Sequence, residues 1–586
     1  MKTVHELLGQ GKLDKAISLC ESQCQRYGDK YPEPWITLAA IHNKCGRNQQ
    51  ALSCLQMGIK KNPQSAELCT QAAILCQKAG KLDAARSYYM KSLENEANQP
   101  VVHFNLGITY LQEDNLLEAE KCFQQTVALN PEHAAAHANL AYALRMQKKF
   151  DRAQVHYDHA LRLLPDNLEI LFNRSINLSS SGKLAEAEES YRRVLKLNPQ
   201  HAQAMNALGV VLSNQGRHAE AENIIRQALS LRSDDAKFYS NLGMILTRQG
   251  NMDQAIEKFE MALKLAPNDA GCHFKYALTL LLLGNFERGW EEYKWRLKVP
   301  GWQARITSSP LVDLSNIKGK TVFIYAEQGL GDSIQFIRYL RLLKELGAYV
   351  IFEPQPKLME LFSSYRYIDK LIEQGSAIPE FDFQAPLLNL PGLFGSNINS
   401  IPADIPYLYP PSQPDDPVID ACLPESSSAF RIGIVWAGSP SCLHDQIRSC
   451  PSTLFSELGH IPQVELYSLQ KGVPSSDLKQ LQDLCPVIDL ATNFTNFTNT
   501  ASAISRLDLV ISVDTAMAHL AGALGCPVWL VVNTAVEWRW LLQREDSPWY
   551  PSMRLFCQQQ SGDWTTPFKQ MKKCLLEMPP IPDTVN

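Results

Sequence analysis

Small, aromatic and turn-forming residues recur through the first half of the chain at an interval of 34 residues. Each unit has a small residue before a turn, an alanine or glycine five positions after the turn, and a large apolar residue four positions further on. Two helices that cross closely at the small residues and end near a proline explain this spacing. The turns begin at Gly46, Gly80, Asp114, Lys148, Gly182, Gly216, Gly250 and Gly284.

This pattern resembles the tetratricopeptide (TPR) family across residues 1–300, with eight full units and a partial unit before them. The resemblance implies an α-solenoid, the TPR superhelix, in which each pair of helices packs against the next. Because repeat units contact only their neighbours, residues 1–300 are predicted to fold without the rest of the chain.

The sixth position of the first helix in each unit carries an amide series that faces the concave groove of a TPR superhelix. An amide both donates and accepts hydrogen bonds, so a row of amides can hold an extended peptide backbone. The arrangement resembles the asparagine ladder of the O-linked N-acetylglucosamine transferase superhelix. The alternative is that this position needs only a polar residue on a solvated face. The asparagines are Asn105, Asn139, Asn173 and Asn241, with Gln71 before them and Ala207 as an interruption.

The second half of the chain alternates apolar β-branched runs with helical patterns. Residues 321–326 predict a strand, 333–346 a helix and 349–352 a second strand, which together form a βαβ unit. A second series begins at 431–438 with a strand that runs into a turn of small residues. Further strands are predicted at 464–469, 509–513 and 527–532, the last of which completes the sheet. The fold class predicted for this half is an α/β domain of two Rossmann-like lobes.

The predicted domain boundaries follow from these changes of pattern. The TPR array covers 1–300, the first Rossmann-like lobe 316–410, and a Pro-rich linker 411–429. The second lobe covers 430–586 and ends in a C-terminal helix.

Composition and charge exclude several classes of protein. Hydrophobic residues make up 45% of the chain and charged residues 20%, as in a folded globular protein. A net charge of -5 predicts no binding to nucleic acid. The polar first residues predict no secretory signal, and no apolar run approaches the roughly 20 residues that span a bilayer. Fifteen cysteines without a Cys-x-x-Cys motif indicate free thiols, so a cytoplasmic location is expected.

Motifs in the second half resemble the heptosyltransferase-like (family 9) glycosyltransferases of the GT-B fold. The motifs are Gly331-Asp332 after the first strand, Asp514-Thr515-Ala516 with His519, and the Gly525-x-Pro527 strand. The C-terminal run Trp538-Arg539-Trp540 is similar to that of bacterial proteins that carry TPR units before such a domain. The first lobe is shorter than in stand-alone heptosyltransferases, which leaves the acceptor open.

The resemblance implies a donor site for a nucleotide sugar in the second lobe. Asp514 to Ala516 connect a strand to a helix, where backbone N–H groups and the helix dipole favour phosphate oxygens. His519 follows on the same helix face as Thr515. A capped helix with a core histidine is the alternative. The donor-binding candidates are Gly438, Ser439, Arg448, Lys471, Asp514, Thr515, Ala516 and His519.

Asp332 is the candidate general base for the acceptor hydroxyl. It follows a glycine-containing loop at the carboxyl end of the first strand, the edge at which α/β folds bind their ligands. Capping of the next helix is an alternative that is compatible with this role. The acceptor loop comprises Gln328, Gly329 and Gly331. Trp538, Trp540 and Trp549 could stack on a base or sugar, although aromatic residues in such clusters usually form the core.

The architecture therefore predicts a bacterial glycosyltransferase that uses no cofactor and no metal. Its partners are expected to be a nucleotide sugar and a protein or peptide in the TPR groove, by analogy with bacterial protein glycosyltransferases such as those that modify flagellin. One alternative is a non-catalytic TPR scaffold with a degenerate transferase lobe. Another is a heptosyltransferase-like enzyme of cell-surface glycan assembly.

Overall fold

A computed structural model describes residues 2–302, 305, 310–410, 417–423, 429–439 and 445–578. The chain forms a run of TPR-type helices followed by an α/β region with parallel sheets. The chain divides into two compact units, Met1–Gln215 and Gly216–Asn586.

The first unit consists of helices that pack in sequential pairs. Its helices are α1 (Lys2–Gly9), α2 (Leu13–Tyr27), α3 (Glu33–Lys44), α4 (Asn48–Lys61), α5 (Ala66–Lys78), α6 (Leu82–Asn95), α7 (Pro100–Gln112), α8 (Leu116–Leu129), α9 (Ala134–Met146), α10 (Phe150–Leu163), α11 (Leu168–Ser180), α12 (Leu184–Leu197) and α13 (Ala202–Asn214).

The small and aromatic positions of the repeat are buried, as their spacing predicts. Gly107 shows the reason, because a Cβ atom there would lie 2.7 Å from the ring of Phe123. The turns begin in the left-handed region, with φ between 72° at Gly46 and 82° at Gly216 for the glycines of the eight predicted turns. Asp114 and Lys148 adopt φ values of 56° and 60° at the same position. Backbone conformation therefore explains why most turns begin with glycine.

The second unit begins with further repeat helices and continues into the α/β region. The repeat helices are α14 (His218–Leu231), α15 (Ala236–Arg248), α16 (Met252–Leu265), α17 (Ala270–Leu282) and α18 (Phe286–Tyr293), followed by a 3₁₀ helix, Lys294–Lys298. Trp290 and Tyr293 belong to the same hydrophobic core as both sheets. The Trp290 indole also donates a hydrogen bond of 2.8 Å to the Ser396 carbonyl oxygen. The last repeat helices are thus part of the α/β core.

The first lobe contains a four-stranded parallel sheet with strand order β3-β2-β1-β4. Its elements are β1 (Thr321–Tyr325), α19 (Leu330–Phe336), α20 (Tyr339–Glu345), β2 (Tyr349–Glu353), α21 (Met359–Phe362), β3 (Lys370–Leu371), β4 (Phe383–Pro386) and α22 (Leu390–Leu393). The prediction of one helix at 333–346 is wrong in two respects. The helical segment begins earlier, at Leu330, and it is divided into α19 and α20.

The second lobe contains a six-stranded parallel sheet with strand order β10-β9-β8-β5-β6-β7. Its elements are β5 (Phe430–Val435), α24 (Asp445–Arg448), α25 (Ser456–Gly459), β6 (Val464–Ser468), α26 (Ser475–Gln482), β7 (Val487–Asp489), α27 (Phe497–Ile504), β8 (Leu509–Val513), α28 (Ala516–Ala523), β9 (Val528–Val532), β10 (Met553–Cys557) and α29 (Thr565–Leu576). The expectation that 527–532 completes the sheet is wrong, since β10 pairs beyond β9.

The predicted linker lies mostly outside the described residues. Residues 411–416 and 424–428 are not described, and α23 (Pro417–Cys422) occupies the segment between them. The boundaries at 300, 316 and 430 stay predictions.

Candidate functional site

The loop after β1 and the helix after β8 meet where the two lobes face each other. Helix α19 packs against α28. A Cβ atom at Gly331 would lie 2.8 Å from His519 Cδ2 and 3.4 Å from Ala516 Cα, so only glycine allows this approach. Two groups of residues that the sequence assigns to acceptor and donor sites are therefore in contact at the carboxyl ends of the sheets.

Asp332 has both carboxylate oxygens engaged. Its Oδ2 accepts a hydrogen bond of 2.8 Å from the backbone N–H of Gly329 and so caps α19 from within the first turn. Its Oδ1 accepts from Arg539 Nη2 of the second lobe. The capping alternative is thus present in the structure, and an interlobe ion pair is added to it.

Arg539 is the centre of the polar contacts between the lobes. Its Nε donates to Gln335 Oε1 over 2.7 Å, Nη1 donates to Glu537, and Nη2 donates to Asp332. The guanidinium carbon lies 4.4 Å from the ring centroid of Trp538. Burial acts to lower the pKa of Arg539, but the Glu537 and Asp332 carboxylates outweigh burial and raise that pKa.

Two further carboxylates surround Arg539. Burial raises the pKa of Glu537 to about 7, with Arg539 opposing the shift and Asp514 adding to it. Burial also raises the pKa of Asp514, against the nearby guanidinium charges of Arg539 and Arg448. The site therefore holds three carboxylates around one buried guanidinium group, and burial favours the protonated form of two of them, Glu537 and Asp514.

His519 is buried in the second lobe. Its Nδ1 is 2.9 Å from the Tyr550 hydroxyl, and its ring stacks on Trp540 with centroids 5.4 Å apart. Its Nε2 lies 3.9 Å from Asp514 Oδ1. Burial lowers the pKa of His519 well below its ordinary value, and the charges of Arg539 and Arg338 lower it further. His519 is therefore neutral and packed, and donor binding by it stays a prediction.

Three of the predicted donor residues lie together at the end of β5. Arg448 Nη1 donates to the backbone carbonyl oxygen of Asp514 over 3.1 Å. A Cβ atom at Gly438 would overlap the ends of the Arg448 and Asp445 side chains, so a larger residue there would displace both. Ser439 follows Gly438 at an exposed position. These contacts bring β5, α24 and the end of β8 to one place.

The remaining donor candidates border this place with different partners. The Thr515 hydroxyl is 3.1 Å from the Ser512 hydroxyl, and Ala516 begins α28 beside Gly331. The Lys471 ammonium group donates a hydrogen bond to the Phe494 carbonyl oxygen. The preceding residue, Gln470, accepts from the backbone N–H groups of Trp436 and Ala437 over 2.9 and 2.8 Å.

The acceptor loop is attached to the last repeat helices. Gln328 donates to the Tyr293 hydroxyl over 3.2 Å, and Gln355 donates to the Gln328 carbonyl oxygen over 2.8 Å. Directly before this loop, Glu327 forms an ion pair with Arg296, whose side chain is fully buried. The end of the TPR array thereby positions the loop that precedes Asp332.

The tryptophans near the C-terminus belong to the core. Trp538, Trp540 and Trp549 are 3%, 0% and 0% exposed. They pack on Phe336, His519 and Trp290, with no face open to a ligand. Their structural alternative is therefore correct.

The groove asparagines are half-buried, and no single pattern describes their contacts. In the first unit, Asn139 donates to the Ala135 carbonyl oxygen of its own helix over 3.0 Å, and Asn105 and Asn173 are also half-buried. In the second unit, Asn241 accepts from Lys275 Nζ over 2.8 Å. Lys275 occupies the same repeat position one unit later, so the amide series ends in a cation.

Sequence reasoning missed Arg539, Glu537 and Gln335. The available signal was an arginine between Trp538 and Trp540, because a charged residue within an apolar aromatic run requires buried partners. Among the described residues, no group of three or more His, Cys, Asp or Glu side chains could hold a metal ion. No described helix is long and apolar enough to cross a membrane.

Family comparisons agree with this architecture. Tetratricopeptide repeat profiles match residues 66–99, 104–167, 172–235 and 212–270. The glycosyltransferase family 9 (heptosyltransferase) profile matches residues 463–531, which include Asp514 and His519 but neither Asp332 nor Arg539.

Individual relatives are more distant. Protein FlbA of Caulobacter vibrioides is 26% identical over 277 residues, which cover 42% of this chain and 45% of FlbA, so less than half of that protein is matched. The crystal structure of YrrB, a TPR protein with an unusual peptide-binding site, is 22% identical with a TM-score of 0.29, over 31% of this chain and 93% of YrrB. A tetratricopeptide repeat protein from Parabacteroides merdae is 19% identical with a TM-score of 0.35, over 42% of this chain and 98% of its own.

The chain thus carries tetratricopeptide repeats across its N-terminal region, and its C-terminal region contains a match to the glycosyltransferase family 9 (heptosyltransferase) profile.

Proposed function

We propose that the α/β region transfers a sugar from a nucleotide-sugar donor to an acceptor hydroxyl. The observation that carries this proposal is the contact between Gly331 of the first lobe and His519 of the second. It places the Asp332 carboxylate beside the strand-to-helix junction that begins at Asp514. Ligands of such folds bind at the carboxyl ends of the strands, where both loops lie.

In this proposal the second lobe holds the donor. The N–H groups at the start of α28 and the Arg448 guanidinium group supply donors and positive charge for a diphosphate. Gly438 follows β5 beside Arg448, and the nucleotide is proposed to bind next to this pair. Asp514 repels a diphosphate when ionised, and its raised pKa reduces that repulsion.

Asp332 is the proposed base. Each of its oxygens uses one lone pair for Gly329 or Arg539, and a carboxylate oxygen has two, so each can still accept the acceptor proton. The new bond joins the acceptor oxygen to the anomeric carbon as the bond to the diphosphate breaks. The leaving charge is balanced by residues of the second lobe, so the proposal needs no metal and no cofactor.

The acceptor is proposed to be a protein held by the TPR groove in the cytoplasm. Attachment of the loop before Asp332 to Tyr293 and Arg296 supports this, because a chain bound along the last repeats would end near the loop. The family description as heptosyltransferases supports a second candidate, heptose transfer in cell-surface glycan assembly.

Isothermal titration of the full chain against UDP-, GDP-, ADP- and CMP-sugars tests the donor, and release of the nucleotide measures turnover. We expect one class to bind, and Asp332→Asn to reduce turnover by about 10²–10⁴ with unchanged donor affinity. Asp404→Asn is the control, since that carboxylate is 79% exposed and paired only with Arg341 in the described contacts. Absence of binding to all four classes would leave the non-catalytic scaffold as the better description.

A further inference from the structure

The contacts of Arg539 go beyond what a structural ion pair needs. Its guanidinium group contacts Asp332 and Gln335 in α19 of the first lobe and Glu537 in its own segment. These groups hold it on three sides while Trp538 covers one face. A planar fork with this many fixed partners has a single orientation, and it transmits that orientation to the carboxylate it binds.

We propose that Arg539 is the positioning residue for Asp332 in sugar transfer, held in place by Glu537. The inference rests on the proposed function. Arg539 fixes Oδ1 of Asp332 while the Gly329 N–H fixes Oδ2, so the carboxylate plane is set from both lobes. The direction from which an acceptor hydroxyl can approach the carboxylate is fixed in the same way. Positioning groups of this kind act on the rate and not on donor affinity.

Glu537 gives this arrangement a charge balance that depends on pH. It faces Arg539 in its own segment, Asp514 at the end of β8 and Asp332 in α19. Arg539 faces Tyr293 of the last repeat helix as well. When Glu537 is ionised, its carboxylate attracts the Arg539 guanidinium group and holds it in place. When Glu537 is protonated, this attraction between charges is lost and Arg539 is held less firmly.

The first experiment is a double-mutant cycle on nucleotide release by the full chain. Arg539→Gln should reduce the rate by about 10²-fold, the effect of a displacement near 1 Å, while the donor dissociation constant stays unchanged. In an Asp332→Asn background, Arg539→Gln should have no further effect, because the base that it positions is absent. Arg544→Gln is the matched control, since that arginine pairs with Asp546 in the same segment.

A second pair of variants covers the case in which Arg539→Gln does not fold. Arg539→Lys keeps the charge beside Asp332, but one ammonium group cannot also reach Gln335 and Glu537, so we expect a loss of about 10-fold. We expect the wild-type rate to rise between pH 6 and 8 as Glu537 ionises, because burial raises the pKa of Glu537 to about 7, and Glu537→Gln should remove that rise.

Three results would overturn the inference, and they differ from failure of the proposed function. Additive losses in the cycle would show that Arg539 acts independently of Asp332. A wild-type rate in Arg539→Lys would show that the fork is not needed. An unchanged pH profile in Glu537→Gln would remove Glu537 from the arrangement. If the wild type binds and turns over none of the four donor classes, the proposed function fails, and the inference fails with it.

Discussion

A single methyl group at Gly331 tests how closely the two lobes meet. Gly331 lies in the first turn of α19, and its added Cβ would be 2.8 Å from His519 Cδ2. That distance is well inside van der Waals contact. The His519 ring is confined by Trp540 and by its bond to Tyr550, so it cannot turn aside without losing both contacts. Gly331→Ala must therefore displace the ring or separate α19 from α28.

The expected magnitude follows from two opposing contributions. Overpacking a well-filled site costs about 1–3 kcal/mol. Alanine in place of glycine within a helix gains about 0.5–1 kcal/mol. The free energy of unfolding of the second unit should thus fall by about 0.5–2 kcal/mol. Gly271→Ala in the first turn of α17 is the control, because its Cβ would have one neighbour within the 3.4 Å of a tight contact, Asp269 Oδ1 at 3.3 Å.

Urea denaturation of the full chain, followed by the fluorescence of the second unit's tryptophans, measures this loss. The decisive comparison repeats Gly331→Ala in a His519→Ala background, where the obstructing ring is absent. The cost should then disappear, and alanine should become neutral or favourable. If Gly331→Ala destabilises both backgrounds equally, the contact between the acceptor loop and His519 does not limit the space at Gly331, and the arrangement of the site is wrong.

Three further predictions concern the repeats. Lys148→Gly should raise the stability of the first unit by about 0.5–1 kcal/mol in thermal denaturation, because Lys148 adopts a φ of 60° that glycine tolerates. Burial lowers the pKa of His137, and it lowers that of His156 to about 4, so both bind protons more readily when unfolded. The free energy of unfolding of the first unit should therefore fall by about 1–2 kcal/mol from pH 7 to pH 5, a figure reduced for the partial exposure of the two rings. Asn139→Ala with Asn173→Ala should weaken binding of a protein acceptor by about 0.5–1.5 kcal/mol for each lost hydrogen bond.

The repeat predictions have controls within the chain. Gly182→Lys reverses the turn substitution at a φ of 79° and should destabilise. His156→Gln should flatten the pH dependence, since an amide does not titrate. Ala207→Asn fills the interruption in the amide series and should tighten acceptor binding. A pH-independent stability, or equal affinity in the asparagine variants, would contradict the respective prediction.

The repeat half was predictable because each position of a repeat has the same surroundings in every unit. The small residues at positions 107 and 141 are both buried where two helices cross closely. The same pattern therefore recurs in eight units, which makes it easy to recognise in the sequence. The left-handed turn residue is visible as glycine in six of the eight turns. Lys148 and Asp114 show the limit of that rule, since both are exposed and adopt the left-handed conformation of the turn although neither is glycine.

The candidate site was predictable only in part, because its contacts join distant positions. Gly331 and Asp332 follow β1 and Asp514 follows β8, so each could be expected at the carboxyl edge of its own sheet. The meeting of these two edges depends on how the lobes pack, which no local pattern shows. Arg539 is 207 residues from Asp332, and no local pattern pairs them. Strands β3 and β7 were not predicted, because two or three residues are too few to show an alternation of apolar and polar positions.

The end of the periodic pattern and the division into compact units answer different questions. The 34-residue periodicity of the sequence stops near residue 300. Packing instead groups α14 to α18 with the sheets, since Trp290 and Tyr293 are 4% and 3% exposed in a core that both lobes share. A fragment that ends at residue 300 would expose these two side chains, and one that begins there would lose the partners of Ser396 and Glu327. The last repeats therefore pack as part of the α/β region, and substitutions in α18 should affect the loop before Asp332 as directly as substitutions in the first lobe.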